Sequence, residues 1–366
     1  MLGNQSRSAA SSPSPLACAP ARRRPRRDVW DEYRKEETLG SGAYGQVFRA
    51  QRNSDGTIVA VKRCSKDPHE SITATTLREI SALRKVDLVC KAGERFPFVV
   101  QLYDTFADAM HVYLVMEFCE TDLSKLIKTA PRRMSSGFIK IVTFQILCGV
   151  SFLEDYMIMH RDLKPANILI QDIPGFGVCV KIADFGLSRA QSYPSIPYSP
   201  TVQTLMYRAP ELLFQKPATD YRNIELKKYN HLADVWSVGC ILAEMIGRQV
   251  LFNKQTELDL CTEIVKTLGL PNATDFDFVP SDLGRFTCGK DPQLSLESRF
   301  PNFFRAEPAA LQLLKRMLEI NPKKRVRVIE AVKSPFFLDQ AGQDTIREMH
   351  KENVVYVKMM LDIPVL

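Results

Sequence analysis

The stretch MHRDLKPANILI, residues 159–170, sets His160, Arg161, Asp162, Lys164 and Asn167 within eight residues, between an apolar run and a β-forming one. A carboxylate such as Asp162 can accept a hydrogen bond from a hydroxyl group and orient it for attack. Lys164 can offset negative charge on a transferred group, and Asn167 offers a neutral oxygen to Mg2+, which prefers oxygen donors. DFG at 184–186 adds Asp184, a carboxylate able to bridge a metal to phosphates, and APE at 209–211 closes the segment between them. Upstream, LGSGAYGQV (39–47) holds Gly40, Gly42 and Gly45 in G-x-G-x-x-G spacing. Alone that spacing is weak, but here it links two β runs, whereas the dinucleotide fingerprint opens a helix. Glycines in a hairpin let backbone amides close over phosphates. VAVK follows, and a strand lysine at Lys62 can neutralise phosphate charge if a counter-ion holds it; Glu79 on the next helix is the candidate. Each motif alone has an ordinary structural reading. All five in order leave that reading almost no room.

Elements that would position these residues are legible around them. Alternating β-formers with turn signals predict three antiparallel strands over residues 33–64. TATTLREISALRKV has helical spacing, with Leu77, Ile80 and Leu83 on one stripe. Residues 98–106 and 111–118 read as two more strands. After Asp122 the pattern turns helical, with two runs at 137–157 and 231–246 apolar almost all round, as core helices are. Stretches 171–178 and 214–230 read as surface insertions. The chain thus divides into a disordered basic tail (1–32), one domain (33–338) with a small lobe at 33–118 and a larger lobe at 119–338, and a C-terminal extension (339–366).

Composition bounds the alternatives. The 366 residues are 45% hydrophobic and 25% charged, with a net charge of +7. Seven Arg against three acids place +4 of that charge in residues 1–34. The remainder is too diffuse for a nucleic-acid footprint. Nine Cys are scattered without C-x-x-C pairs or zinc spacing, several in apolar runs (Cys148, Cys179, Cys240), which predicts buried free thiols. No apolar run is read as approaching the ~20 residues that span a bilayer. These features predict a soluble intracellular protein with neither a nucleic-acid nor a membrane partner. The tail of Ser, Ala, Pro and Arg reads as a solvated segment or a nuclear-import signal at 22–27. Pro13, Pro15, Pro20 and Pro25 break the amphipathic helix that a mitochondrial transit peptide needs. Nucleus and cytoplasm are the expected locations.

The motif set resembles that of eukaryotic protein kinases from about residue 33 to residue 337. HRDLKPAN, with Lys two after Asp, is similar to the serine/threonine branch. The resemblance implies an α+β bilobal fold: a small β-rich N-lobe with one helix and a larger, mainly helical C-lobe. It implies ATP and Mg2+ as cofactors, a Lys62–Glu79 pair, Asp162 as base with Lys164 beside it, and Asn167 and Asp184 as metal ligands. By the same resemblance Gly40, Ser41, Gly42, Ala43, Tyr44, Gly45 and Gln46 cover the phosphates. Leu39, Val47, Ala60 and Leu169 would line the adenine pocket, with Met116 as gatekeeper. The backbone of Glu117–Cys119 would bond the base, and Asp122 the ribose. Nothing required for phosphoryl transfer is missing.

Within kinases the chain resembles the cyclin-dependent group. TATTLRE (73–79) is similar to its cyclin-binding helix, which places a cyclin on the 73–83 helix; DVWSVGCILAEM and LGLP (268–271) match as well. The Lys62–Glu79 pair is expected to form only when that helix swings inward, biased by the docked cyclin. Ala43 beside Tyr44 resembles the D-type cyclin-dependent kinases, which implies a D-type-like cyclin, G1 control and Tyr44 as the one inhibitory phosphorylation site in the loop. Ser199 before Pro200 stands where that subgroup has its activating Thr-Pro, with Arg78, Arg161 and Arg189 placed to receive the phosphate; Thr201 and Thr204 are the alternatives. Protein substrates and activating and inhibitory kinases complete the implied partners. Met206 for a usual Trp, and Gln203 for Val near the substrate-proline pocket, depart from the pattern. Mitogen-activated kinases share YRAPE but require Thr-x-Tyr, and 199–201 is Ser-Pro-Thr. A pseudokinase scaffold is the non-enzymatic reading; its usual mark is loss of the strand Lys, the catalytic Asp or the metal Asp, and Lys62, Asp162 and Asp184 are all present.

Overall fold

In the computed structural model, residues 28–42, 45–67, 72–89, 98–130, 133–173, 177–190, 205–213, 231–269 and 291–338 are described. The N-lobe is a five-stranded antiparallel sheet in the order β1-β2-β3-β5-β4. Its strands are β1 (Tyr33–Gly42), β2 (Gly45–Arg52), β3 (Ile58–Ser65), β4 (Leu102–Ala107) and β5 (His111–Glu117). A strand shows alternate side chains to opposite faces. In β3, Val59 and Val61 therefore join a small outer core with Tyr33, Phe106, Tyr113 and Val115, while Lys62 and Cys64 face inward.

A one-turn helix, α1 (Val29–Glu32), caps the outer core. Asp28 accepts the Trp30 N–H at 3.0 Å, Val29 is buried, and the Trp30 ring meets Phe48 and Tyr113 edge-on at 5.9 Å each. Residues 28–32, expected within the disordered tail, are thus packed against the sheet. Four residues are too few for a periodic signal, so the turn is only legible from its packing.

Helix α2 (Ala74–Val89) lies against the inner face of the sheet. Leu83 is buried and Ile80 partly so, but Leu77 is 48% exposed, so the expected stripe is only two residues wide here. Short β6 (Thr121–Asp122) leads into the C-lobe through α3 (Leu123–Thr129) and α4 (Ser136–Asp155). α4 is long and apolar enough to cross a membrane by length and composition, contrary to expectation. Its burial, 78% of the apolar window, is that of a core helix.

β7 (Ile158–Met159), β8 (Ile168–Ile173), β9 (Gly177–Ile182) and β10 (Arg189–Ala190) frame the HRDLKPAN and DFG segments. β8 and β9 pair antiparallel from Ile168↔Ile182 to Ile173↔Gly177. Of the 171–178 stretch, residues 171–173 and 177–178 lie in these strands; residues 174–176 and the 214–230 stretch lie outside the described residues. Behind α5 (Pro210–Leu213) stand α6 (Leu232–Gly247) and α7 (Glu257–Leu268). Short helices α8 (Leu296–Arg299), α9 (Pro301–Ala306), α10 (Pro308–Met317), α11 (Val328–Ala331) and α12 (Pro335–Leu338) close the lobe. α6 is buried along nearly its whole length, with Trp236 stacked on Phe252 at 5.9 Å. Cys148, Cys179 and Cys240 are buried free thiols, as expected.

Candidate active site

The cleft between the lobes collects the polar motifs. On the N-lobe side, β2 and β3 set Val47 opposite Lys62, and β3 and β5 set Ala60 opposite Met116. Leu39, Gly40 and Ser41 lie along β1, whose end at Gly42 turns toward Gly45. Gly45 has φ 134°, and a Cβ there would run into the Arg63 carbonyl, so only glycine lets β2 start this close to β3. Gln46 is committed to β3, accepting from Arg63 at 2.5 Å. Ala43 and Tyr44 lie outside the described residues.

Lys62 is buried and donates to both Glu79 oxygens at 2.8 Å and to Asp184 Oδ1 at 3.1 Å. Burial alone would lower its pKa. The carboxylates of Glu79 and Asp184 outweigh that, and Lys62 is held above the ordinary lysine value. Asp184 responds in the opposite sense: burial opposes ionisation, but the Lys62 charge and hydrogen bond keep its pKa below the usual carboxylate range. The Lys62–Glu79 pair is closed in this structure, with α2 packed against the sheet. α2 reaches the DFG turn because Gly186 lacks a side chain; a Cβ would lie 2.7 Å from Thr75 Cγ2.

On the C-lobe side the catalytic loop is held by its main chain. Asp234, near the start of α6, accepts the N–H groups of His160 and Arg161 at 2.9 Å each. Those bonds hold Arg161 at φ 72°, a left-handed conformation costly for a side chain of its size. The His160 ring accepts the Asp162 N–H at Nδ1 (3.3 Å) and donates from Nε2 to the Ala183 carbonyl (3.0 Å), which ties the loop to the DFG strand. Its edge lies on Phe185, 4.8 Å between centroids.

Asp162 is buried, and its Oδ2 accepts from Lys164 Nζ at 2.7 Å and from Asn167 Nδ2 at 3.1 Å. The Asn167 amide nitrogen also donates to the Asp162 carbonyl at 2.8 Å. With its nitrogen spent there, the amide oxygen of Asn167 is the atom it can offer a cation. The Ala183 N–H bonds the Asn167 carbonyl at 3.0 Å, which brings Asn167 beside Asp184. Among the described residues no three His, Cys, Asp or Glu gather for a metal. An ionised Asp184 with one amide oxygen still fits Mg2+, which is bound through one or two protein oxygens together with waters and substrate phosphates.

The remaining expected residues fall into place unevenly. Leu169 on β8 pairs with Asp122 on β6, and Glu117 and Cys119 follow Met116 in the connecting strand. Asp122 has a first task of its own: it caps α3, accepting the Lys125 N–H at 2.9 Å and pairing with Lys125 Nζ at 3.2 Å. Arg78 is half-buried on α2, and Arg189 on β10 pairs with Met159. The Arg189 side chain, Ser199, Thr201, Gln203 and Thr204 lie outside the described residues.

Two further positions hold the site and escaped the sequence reading. Asp234 is one; its signal was an acid in the first turn of an almost wholly apolar helix, the mark of a buried acceptor. Arg325 is the other. Buried against Trp236, it grips Glu211 of APE with two bonds of 2.8 and 2.7 Å and so anchors the end of the segment to the core.

A lysine charged by two carboxylates, a buried aspartate facing the same cleft and an amide–carboxylate pair for a divalent cation are the parts that phosphoryl transfer requires. Comparison agrees: residues 33–337 match the protein kinase domain family. Cyclin-dependent kinase B2-2 of Arabidopsis thaliana is 34% identical over 332 residues, covering 88% of this chain and 98% of the relative. The chain belongs to the protein kinase family, within its cyclin-dependent kinase group, and the bilobal α+β fold is the one expected. Protein kinases generally use ATP with Mg2+.

Proposed function

We propose that the chain is a cyclin-activated serine/threonine kinase that transfers the ATP γ-phosphate to Ser-Pro and Thr-Pro sites. The observation that carries the reading is the closed Lys62–Glu79–Asp184 cluster facing Asp162, Lys164 and Asn167 across one cleft. Lys62 would hold the nucleotide phosphates while Glu79 holds Lys62. Asp162 accepts the proton of the substrate hydroxyl and orients that oxygen. Lys164, bonded to Asp162, offsets charge on the group in transit. Asn167 and Asp184 would bind Mg2+, which supplies charge neutralisation at the phosphates.

A cyclin on α2 is supported by the exposed Leu77 and Leu88 on that helix and by the 73–79 motif. The cyclin's task in this reading is to hold α2, and with it the Lys62–Glu79 pair, in place and to order the activation segment. Ala43 supports a D-type-like cyclin, G1 control and Tyr44 as the inhibitory site; Ser199 is the proposed activating site, received by Arg78, Arg161 and Arg189. Activating and inhibitory kinases acting on those sites, and residence in nucleus and cytoplasm by way of the 22–27 basic cluster, complete the proposal. The test is phosphate transfer to a Ser-Pro peptide panel with and without candidate cyclins. Cyclin-stimulated transfer to proline-directed peptides is the expected result, and transfer that ignores both cyclin and proline would overturn the regulatory and specificity claims.

A further inference from the structure

Strand β9 is a seam between the lobes. One of its edges pairs with β8. Its other edge is satisfied from two sides. The buried Gln145 of α4 accepts the Val180 N–H at 2.6 Å and donates to the Val178 carbonyl at 2.8 Å, so one side-chain amide stands in for a neighbouring strand. Two residues further along, Ile182 exchanges backbone bonds of 3.0 Å with Phe98 and Val100, which lead into β4 of the N-lobe. Between these two anchorages lies Lys181. Its Nζ meets Glu117 Oε1 at 2.9 Å, and both side chains are nearly enclosed, 9% and 15% exposed.

Glu117 ends β5, and its backbone N–H bonds the Gln101 carbonyl at 2.9 Å. The pair therefore joins the connecting strand, at its first residue, to the strand that runs through Ala183 into Asp184. None of the catalytic steps uses either charge. Two ions taken out of water at this position are costly unless geometry repays them, and the geometry fixes one distance, that between the two ends of the nucleotide cleft.

We propose that Lys181 is a positioning residue: its buried ion pair with Glu117 sets the spacing between the adenine-gripping strand and the metal-binding Asp184, so that one nucleotide engages both. The inference rests on the kinase reading above. Lys181 is committed to Glu117 and makes no bond to Asp162, Lys164 or Asn167, so its loss should act on nucleotide affinity more than on turnover.

The experiment compares wild type, Lys181→Met, Lys181→Arg and the double variant Lys181→Met with Glu117→Gln, using the full chain with its activating cyclin. Calorimetric binding of a non-hydrolysable ATP analogue, thermal stability, and KM and kcat for ATP are measured. Lys181→Met is expected to raise the analogue Kd and the ATP KM by about tenfold and to change kcat by less than about threefold. Lys181→Arg keeps the pair and is expected to stay near wild type. The double variant removes both buried charges and should recover thermal stability, yet it lacks the tie and should keep the weakened binding. Recovery of nucleotide affinity together with stability in the double variant would show a structural role only and overturn the proposal. So would a Lys181→Met protein that binds the analogue as wild type does. A wild-type protein that binds no nucleotide would overturn the kinase reading and this inference with it.

Discussion

Helix α2 delivers one carboxylate to the cleft, Glu79, and leaves Leu77 48% and Leu88 85% exposed. The catalytic loop touches the core through its backbone, with two N–H groups bonded to an aspartate on α6, a helix buried along nearly all its length. Both deliver a carboxylate to the same cleft. The first attachment is a cluster of three charged side chains and can open by a shift of one helix. The second opens only if the core opens with it. Low local stability belongs where an element must respond to a partner, and high local stability where reacting atoms must not wander. The difference shows how one chain can hold Asp162, the proposed base, firmly and the Lys62–Glu79 pair, the proposed nucleotide clamp, adjustably.

The comparison can be broken at several points. Asp162→Asn removes the positioned base and should lower γ-phosphate transfer ~10²–10⁴-fold, while binding of an ATP analogue by calorimetry stays near wild type. Equal transfer in the variant would remove Asp162 from the mechanism. Asp234→Asn swaps one of two acceptors for a donor facing a buried N–H, at a cost of roughly 1–3 kcal/mol. It should lower both thermal stability and turnover, because the loop and the core are one unit.

Glu79→Gln should behave differently. Lys62 keeps Asp184 as a partner, so the folded state loses little, but phosphate transfer should fall by about tenfold or more as the clamp loosens. A large drop in melting temperature with unchanged turnover would place Glu79 on the fixed side of the comparison.

The smallest effect expected is with pH. The pKa of Asp184 is depressed in the folded chain, so its contribution to stability is complete above the ordinary carboxylate value near ~3.9 and is lost as pH falls through the lower folded value. Lys62 is raised, so its share is complete below ~10.4 and is lost only as pH rises through its folded value. The melting-temperature gap between wild type and Asp184→Asn should therefore be flat from about pH 8 to about pH 5 and shrink in acid. A gap independent of pH would mean that the contact is not held by charge.

The adjustable and fixed parts differed in how far the sequence disclosed them. Lys62, Asp162, Asn167 and Asp184 stand out because polar residues at fixed offsets interrupt β-formers, and the pleat then carries Lys62 into the cleft. The attachments were harder to see. Asp234 and Lys181 are single charged residues inside apolar runs, and a linear pattern does not separate a buried, partnered charge from a stray one. Leu77 follows helical spacing yet faces outward, since periodicity finds an apolar stripe without saying what covers it. The β8–β9 hairpin was hidden because a Pro-Gly pair between strands reads equally as a turn or as an inserted loop.

Hydrogen–deuterium exchange resolved over α2 and over residues 159–168 tests the central contrast most directly, in wild type, Glu79→Gln and Asp234→Asn at neutral pH. The account predicts that Glu79→Gln raises exchange in α2 and leaves the catalytic loop protected, and that Asp234→Asn exposes the loop together with the start of α6. Loss of protection in both segments in both variants would mean that one cooperative unit holds the whole cleft, and would contradict the account.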